Sequence, residues 1–235
     1  MALILNIETS TDTCSVALSK DGNSIAALQS NEQRSHASVL TVLIDDLFDK
    51  NNIPVTDLDA VCVSKGPGSY TGLRIGVSVA KGICYGIHKP LIAINTLECM
   101  MNGLNIDLSD ALTSLPESTI FCPMLDARRL EVYLAMFQKN GTPCSETSAV
   151  IIQEDSFAED LKDHKIVFFG NGAEKCKPLI INPNAIFFDN FTLNASHMAT
   201  RSEDLFGKKC FENLAYFEPF YLKDFVATIP KRKVL

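Results

Sequence analysis

The sequence predicts a mixed α/β fold built twice, one lobe following the other. Three observations point there. Strand-length apolar runs alternate with segments of helical period. A polar, acidic turn follows the first run of each half, at Glu8-Thr9-Ser10 and at Asp126-Ala127-Arg128. A second turn of the Asp-Gly or Asn-Gly type then comes at a matching distance: Glu8 precedes Gly22 by fourteen residues, and Asp126 precedes Gly141 by fifteen.

In the first half, Leu3 to Ile7 reads as a buried strand and Cys14 to Ser19 as a second. Asp21-Gly22 turns the chain into a third, Ser24 to Leu28, because this pair accepts the positive φ of a tight connection. A helix is expected over about 37–50, where Val39, Leu40, Leu43, Ile44 and Leu47 keep helical spacing. Ala60 to Ser64 is the next strand. A glycine-rich turn and a long helix follow it, ended by His88-Lys89-Pro90. Leu91 to Ile94 is a further strand, with Thr96 in position to cap a helix running to about Leu104.

The chain turns polar and irregular from Asn105 to Ser118, and the order then repeats. Strands are expected over 120–125, 130–138 and 149–153, with a helix around 156–161. Ile166 to Phe169 runs into Gly170-Asn171-Gly172, Ala185 to Phe188 follows, and a last helix covers about 195–205. This order suggests two ribonuclease-H-like, actin-like (ASKHA) lobes with mixed sheets flanked by helices, and ligands between them. The division expected is 1–104 for the first lobe, carrying the partner-binding helices, and 105–235 for a shorter second lobe. The final stretch, about 206–235, packs back on the first.

The totals narrow the function classes. With 46% hydrophobic and 21% charged residues, the 235-residue chain has the composition of a globular protein with an ample core. Its net charge of -7 disfavours gripping nucleic acid unaided, because phosphate contacts need clustered Lys and Arg. Lys231-Arg232-Lys233 is the one compact basic run and reads as a solvated terminus. Eight cysteines form no Cys-x-x-Cys pair, so buried free thiols in a reducing cytosol explain them better than disulfides or zinc. Met1 to Glu8 reads as a strand, not a signal peptide, and no apolar run reaches the roughly 20 residues of a membrane span. A cytoplasmic location is expected.

Lys65-Gly66-Pro67-Gly68-Ser69-Tyr70-Thr71-Gly72-Leu73-Arg74-Ile75-Gly76 is the most informative stretch. Gly72, Gly76, Ala80 and Cys84 then recur every fourth position, a small-residue stripe against which another backbone can pack closely. Two readings compete. In one the stripe is a seam for a partner helix, surrounded by Leu73, Val77 and the apolar faces of the Val39–Leu47 helix. In the other it packs inside its own lobe.

The same residues resemble a known family. Ile7-Glu8-Thr9-Ser10 is similar to the "IDTS" opening of the TsaB (YeaZ) proteins, with Glu8 for Asp. Gly66 to Gly76 resembles their "GPGSFTGLRIG", with Tyr70 for Phe. Asp126 to Tyr133 resembles "DARRxEVY", Pro219 to Lys223 resembles the closing "PxYLR" with Lys223 for Arg, and Ser35-His36 before a helix is family-like. The resemblance implies a non-catalytic subunit for forming N6-threonylcarbamoyladenosine at position 37 of tRNAs reading codons that begin with A. Its implied partners are a TsaD-type paralogue holding the transferase site, a TsaE-type ATPase, and a second copy of itself when the paralogue is missing. TsaC makes the donor, and tRNA is met only through the complex. The partner interface implied uses Gly66, Pro67, Gly68, Thr71, Gly72, Leu73, Gly76, Val77, Ala80, His36 and Leu40.

An enzyme reading has its own residues. Glu8, Ser10, Asp126 and Arg128 would be the phosphate and metal side of an actin-like small-molecule kinase or ATPase, with Gly170 and Gly172 near the nucleotide. Against it, the second lobe is short, with no later glycine pair between helices to seat an adenine. His36, His88, His164 and His197 form no His-x-x-x-His pair, which removes the strong signal for a metalloprotease or a metal-dependent transferase. No cofactor is required on this reading, although weak ATP or ADP binding is compatible with it.

Overall fold

The computed structural model describes residues 2–30, 36–107 and 114–222. The expected roles of Ser35, Lys223 and the Lys231-Arg232-Lys233 run lie outside the described residues.

Strands β1 (Leu3–Glu8), β2 (Cys14–Lys20) and β3 (Asn23–Ser30) form an antiparallel meander. Helix α1 (His36–Asn51) leads into β4 (Ala60–Gly66), α2 (Tyr70–Ile87), β5 (Leu91–Asn95) and α3 (Thr96–Asp107). The sheet order is β3-β2-β1-β4-β5, with β4 and β5 parallel to β1. The second sheet contains β6 (Ile120–Asp126), β7 (Glu131–Leu134), β9 (Ser148–Ile151), β10 (Ile166–Phe169) and β11 (Ala185–Phe188). Its order, β9-β7-β6-β10-β11, repeats the first sheet strand for strand. The duplication is therefore one of topology, and the fold is the actin-like α/β pair.

Three local expectations are corrected. The strand expected over 130–138 breaks into β7 and a two-residue β8 (Phe137–Gln138), which pairs with β6 separately. The break is held by the Met136 N–H, which donates to Ser145 Oγ at 2.7 Å. The helix expected over 156–161 shrinks to one turn, α4 (Asp160–Asp163). Thr96 does not cap α3, since the Leu97 N–H is accepted by Asn95 Oδ1 at 2.9 Å.

Hydrophobic burial organises the rest. Leu40, Ile44 and Leu47 of α1 and Val77, Ala80 and Cys84 of α2 cover one face of the first sheet. On the other face α3 is sandwiched between the sheets, with Cys99, Met100 and Leu104 meeting Phe121, Leu125 and Phe169. The chain rejoins the first lobe earlier than residue 206. From the 3-10 turn Ala195–Met198 onward, through α5 (Ala199–Gly207), it contacts β1, β2 and β5. The Ala195 N–H donates to Ser15 Oγ at 3.0 Å. A strap over 208–222 then runs along α2 and β5, where the Glu212 N–H donates to Leu91 O at 2.8 Å.

Candidate functional site

The four sequence motifs meet at one place, the cleft between the lobes. A cavity of about 550 Å³ is lined by Ser10, Thr11 and Asp12 of the first turn and by Pro67 to Thr71 of the glycine turn. Asp126, Ala127, Arg128 and Tyr133 of the second lobe and Phe220 to Leu222 of the strap complete it. A smaller cavity of about 150 Å³ adjoins it and shares Thr11, Asp12 and Asn171.

Strand β4 ends in Gly66 at φ 113°, and the strap lies against this point. The Phe220 N–H donates to Lys65 O at 2.7 Å, and a Cβ on Gly66 would stand 2.6 Å from Phe220 O. Tyr221 packs at a tilt against Tyr70, 4.8 Å between centroids, and Arg74 covers the same Tyr70 ring at 4.9 Å. The closing motif thus braces the start of α2.

The first turn is held from below by the same helix. The Ser69 N–H donates to Ser10 O at 2.7 Å, and Thr9 Oγ1 donates to Gly72 O at 2.9 Å. His36 Nε2, at the start of α1, donates to Thr11 O at 2.9 Å. A Cβ on Gly72 would lie 2.0 Å from Thr9 O, and one on Gly76 would lie 2.3 Å from Thr9 Oγ1.

These contacts correct the expected interface. Gly72, Gly76, Ala80 and Cys84 face their own sheet and the Thr9 turn, so this stripe is an internal seam. Gly66, Val77, His36 and Leu40 are likewise buried within the first lobe, while Pro67 and Leu73, also largely buried, line the cavity between the lobes. Of the residues expected at the interface, Thr71 is exposed and Gly68 half-buried. The opposite side of α2 went unread in the sequence. There Arg74, Ser78, Gly82 and Gly86 form an exposed row of their own at a spacing of four, beside a half-buried ridge of Ile75, Val79 and Ile83. A Cβ on Gly82 or Gly86 would meet nothing within 4 Å. Val42 on α1 is 57% exposed, with Val39 and Leu43 half-buried near it in sequence.

The expected nucleotide residues divide. Ser10, Asp126 and Arg128 line the larger cavity. Glu8 does not: it is fully buried, its Oε1 accepting the Ser10 N–H at 2.6 Å, and burial pushes its carboxyl above the usual range. The Ser10 and Ser64 groups beside it pull the other way, with less effect. Gly170 and Gly172 seat their turn on the backbone of Met124 and Leu125 at the end of β6, and Gly172 is not on the cavity wall. Asn171 Oδ1, between them, accepts the Asp126 N–H at 3.0 Å. Asp126 Oδ1 accepts the Arg128 N–H at 2.9 Å and is ion-paired to Lys175. Among the described residues no three His, Cys, Asp or Glu side chains gather as a metal cluster. All eight cysteines are free; burial pushes the Cys14 and Cys84 thiols up to about 11, so both are unreactive at neutral pH.

Glu8 gives a prediction with a definite sign. A carboxyl whose pKa is raised on folding stabilises most below the ordinary value, and that contribution is lost as pH climbs toward the raised value. Each pH unit crossed in that window costs about 1.4 kcal/mol. Urea unfolding between about pH 5 and 8 should show this fall in the parent and a flatter profile for Glu8→Gln. Parallel profiles would mean that Glu8 is ionised in the fold.

Comparison with known proteins now bears on these motifs. The family model described as "TsaD: tRNA N6-adenosine threonylcarbamoyltransferase" matches residues 28–231. The Bacillus subtilis tRNA threonylcarbamoyladenosine biosynthesis protein TsaB is 30% identical over 181 residues, 75% of this chain and 74% of its own length. The chain belongs to the TsaB family. The Escherichia coli TsaB protein is 28% identical over 230 residues, covering 95% of this chain and 96% of that protein. A Pseudomonas aeruginosa structure, described as similar to the peptidase YeaZ, superposes with a TM-score of 0.81 at 22% identity, over 95% of this chain and all of that one. That likeness supports the two-lobed fold. The TsaB proteins carry their biosynthetic role in their name, and the match to the transferase model makes the chain a relative of the transferase as well. Among the described residues no helix is long and apolar enough to cross a membrane.

Proposed function

We propose that this chain is the non-catalytic subunit of the complex that forms N6-threonylcarbamoyladenosine at position 37 of tRNA, and that it docks on and activates a TsaD-type transferase. The observation that carries this reading is the open row Ser78, Gly82 and Gly86 on the outer side of α2. With no side chain in the way at the two glycines, a partner helix can approach closely, while the half-buried Ile75, Val79 and Ile83 of the same helix provide apolar surface beside it. In the absence of the transferase the same face joins two copies of the chain. A TsaE-type ATPase joins the assembly, and tRNA is met through the complex, in keeping with a net charge of -7. The cytoplasm is the compartment where this work is done.

The sealed Glu8 and the Lys175-paired Asp126 support the view that the chemistry belongs to the partner. Weak ATP or ADP binding in the cleft belongs to the same proposal, as an occupant and not a substrate; no cofactor is required. The test is a reconstituted modification assay with the transferase, the donor-forming enzyme, the ATPase and tRNA. Adding this chain should raise turnover at least tenfold, and the chain without the transferase should give none. Modification by the chain alone, or equal turnover without it, would overturn the proposal.

A further inference from the structure

The second lobe is held to the first by a common core and by the segment that follows it. Two lobes move against each other by default unless the surface between them is large and apolar. Here one core serves both. Ile4, Cys62 and Ile92 of the first sheet and Met100 and Leu104 of α3 pack with Phe121, Leu125 and Phe169 of the second sheet. After β11 the chain crosses back over 189–194 and closes on the first lobe as a clasp. Asn194 Nδ2 donates to Gln29 Oε1 at 3.3 Å, and Thr200 Oγ1 donates to Gly22 O at 3.2 Å. Arg201 Nε pairs with Glu98 Oε1 of α3 at 2.7 Å. His197 seats its ring on Gly103 of α3, where a Cβ would overlap the imidazole. Phe191, within the crossing, stands edge-on to Phe169 at 5.1 Å between centroids and lies 5.7 Å from the His197 ring. A separate tie joins the lobes at the end of β5, where Asn95 Nδ2 donates to Thr147 Oγ1 at 3.0 Å.

We infer that the clasp over 189–207, with His197 bolted into the Gly103 notch, fixes the angle between the lobes, so that the cleft keeps one width whether or not it is filled. This goes beyond the docking face proposed above and does not depend on it. Hinge closure places its backbone rotation in a few linker residues. The crossing is poorly suited to that role, because Phe191 is held between two rings and Leu193 is buried. Closure by shear would need the shared core to slide, and a core packed at crystal-like density shifts between discrete arrangements, not continuously. A ligand entering the cleft therefore gains no contacts from closure, and the chain presents one shape to its surroundings.

The experiment is a pulsed EPR distance measurement on the full-length chain, spin-labelled at Asp45→Cys in the first lobe and Ile181→Cys in the second, both exposed positions. The exposed Cys144 and Cys210 are first replaced by serine. Excess unlabelled chain keeps pairs between molecules rare. The parent should give one narrow distance distribution. His197→Ala, which draws the bolt, and Thr147→Val, a near-isosteric change that deletes the separate tie, should each widen it about twofold. Thermal unfolding confirms that each variant is folded, and Thr147→Val carries the test if His197→Ala is not. Equal widths in the parent and the folded variants would overturn the inference. A shift of the parent to a shorter distance on adding ADP would overturn it as well.

Discussion

Gly72→Ala is expected to leave little folded protein. Its new methyl would sit 2.0 Å from the Thr9 carbonyl oxygen, a backbone atom at the end of a central strand that cannot turn aside. Overpacking costs about 1–3 kcal/mol where side chains can adjust; with main chain as the obstacle, about 3 kcal/mol or more is expected. Gly76→Ala meets Thr9 Oγ1 at 2.3 Å instead, which can rotate at the expense of its hydrogen bond to Gly72 O. It should cost about 1–2 kcal/mol. Removing the hydroxyl separates the two: in a Thr9→Ala background Gly76→Ala should cost less, and Gly72→Ala as much as before. Urea unfolding of the six proteins would decide it. Equal costs for Gly72→Ala and Gly76→Ala, or no relief from Thr9→Ala, would show that the seam is looser than the packing described.

Gly82→Leu should do the reverse, sparing the fold and breaking the assembly. The Cβ position at Gly82 is open, so the monomer gains helix propensity of roughly 1 kcal/mol and loses no contact. A leucine there would hold a partner helix away from the whole groove. With the close approach lost, about 3 kcal/mol of binding, or a hundredfold in affinity, should disappear. Gly82→Ala, a single methyl, should stabilise the monomer slightly and weaken binding less. Unfolding curves and titration against the transferase together check this. A destabilised Gly82→Leu monomer would mean that the groove is internal after all.

These two glycines mark where sequence reading stopped. The order of elements along the chain, the duplication and the long helix after the glycine turn are legible because they rest on local chemistry: alternation of apolar runs, turn pairs, and glycines where the chain must bend. The meeting of the four motifs at the cleft is not local, and the sequence set the glycine-turn motif at a partner interface instead. The orientation of α2 is not local. The helix carries two small-residue rows, one through Gly72, Gly76, Ala80 and Cys84 and one through Ser78, Gly82 and Gly86, and period alone does not say which row meets the sheet. Thr9, some sixty residues earlier, decides it by filling the first row. Glu8 is similar. A carboxylate after a first strand suggests a ligand group, yet Ser10 folds over it and the turn closes beneath the glycine loop. The strap's contacts with Lys65, Gly66 and Tyr70 depend on a chain that has crossed both lobes.

The most direct test of the account is transferase turnover on tRNA, titrated with the parent chain, with Gly76→Ala and with Gly82→Leu, using only the folded fraction of each. The parent and Gly76→Ala should stimulate modification to the same plateau, and Gly82→Leu should leave the transferase at its unassisted rate. Full stimulation by Gly82→Leu, alongside a folded Gly76→Ala that no longer binds, would place the working surface on the inner row and contradict the account.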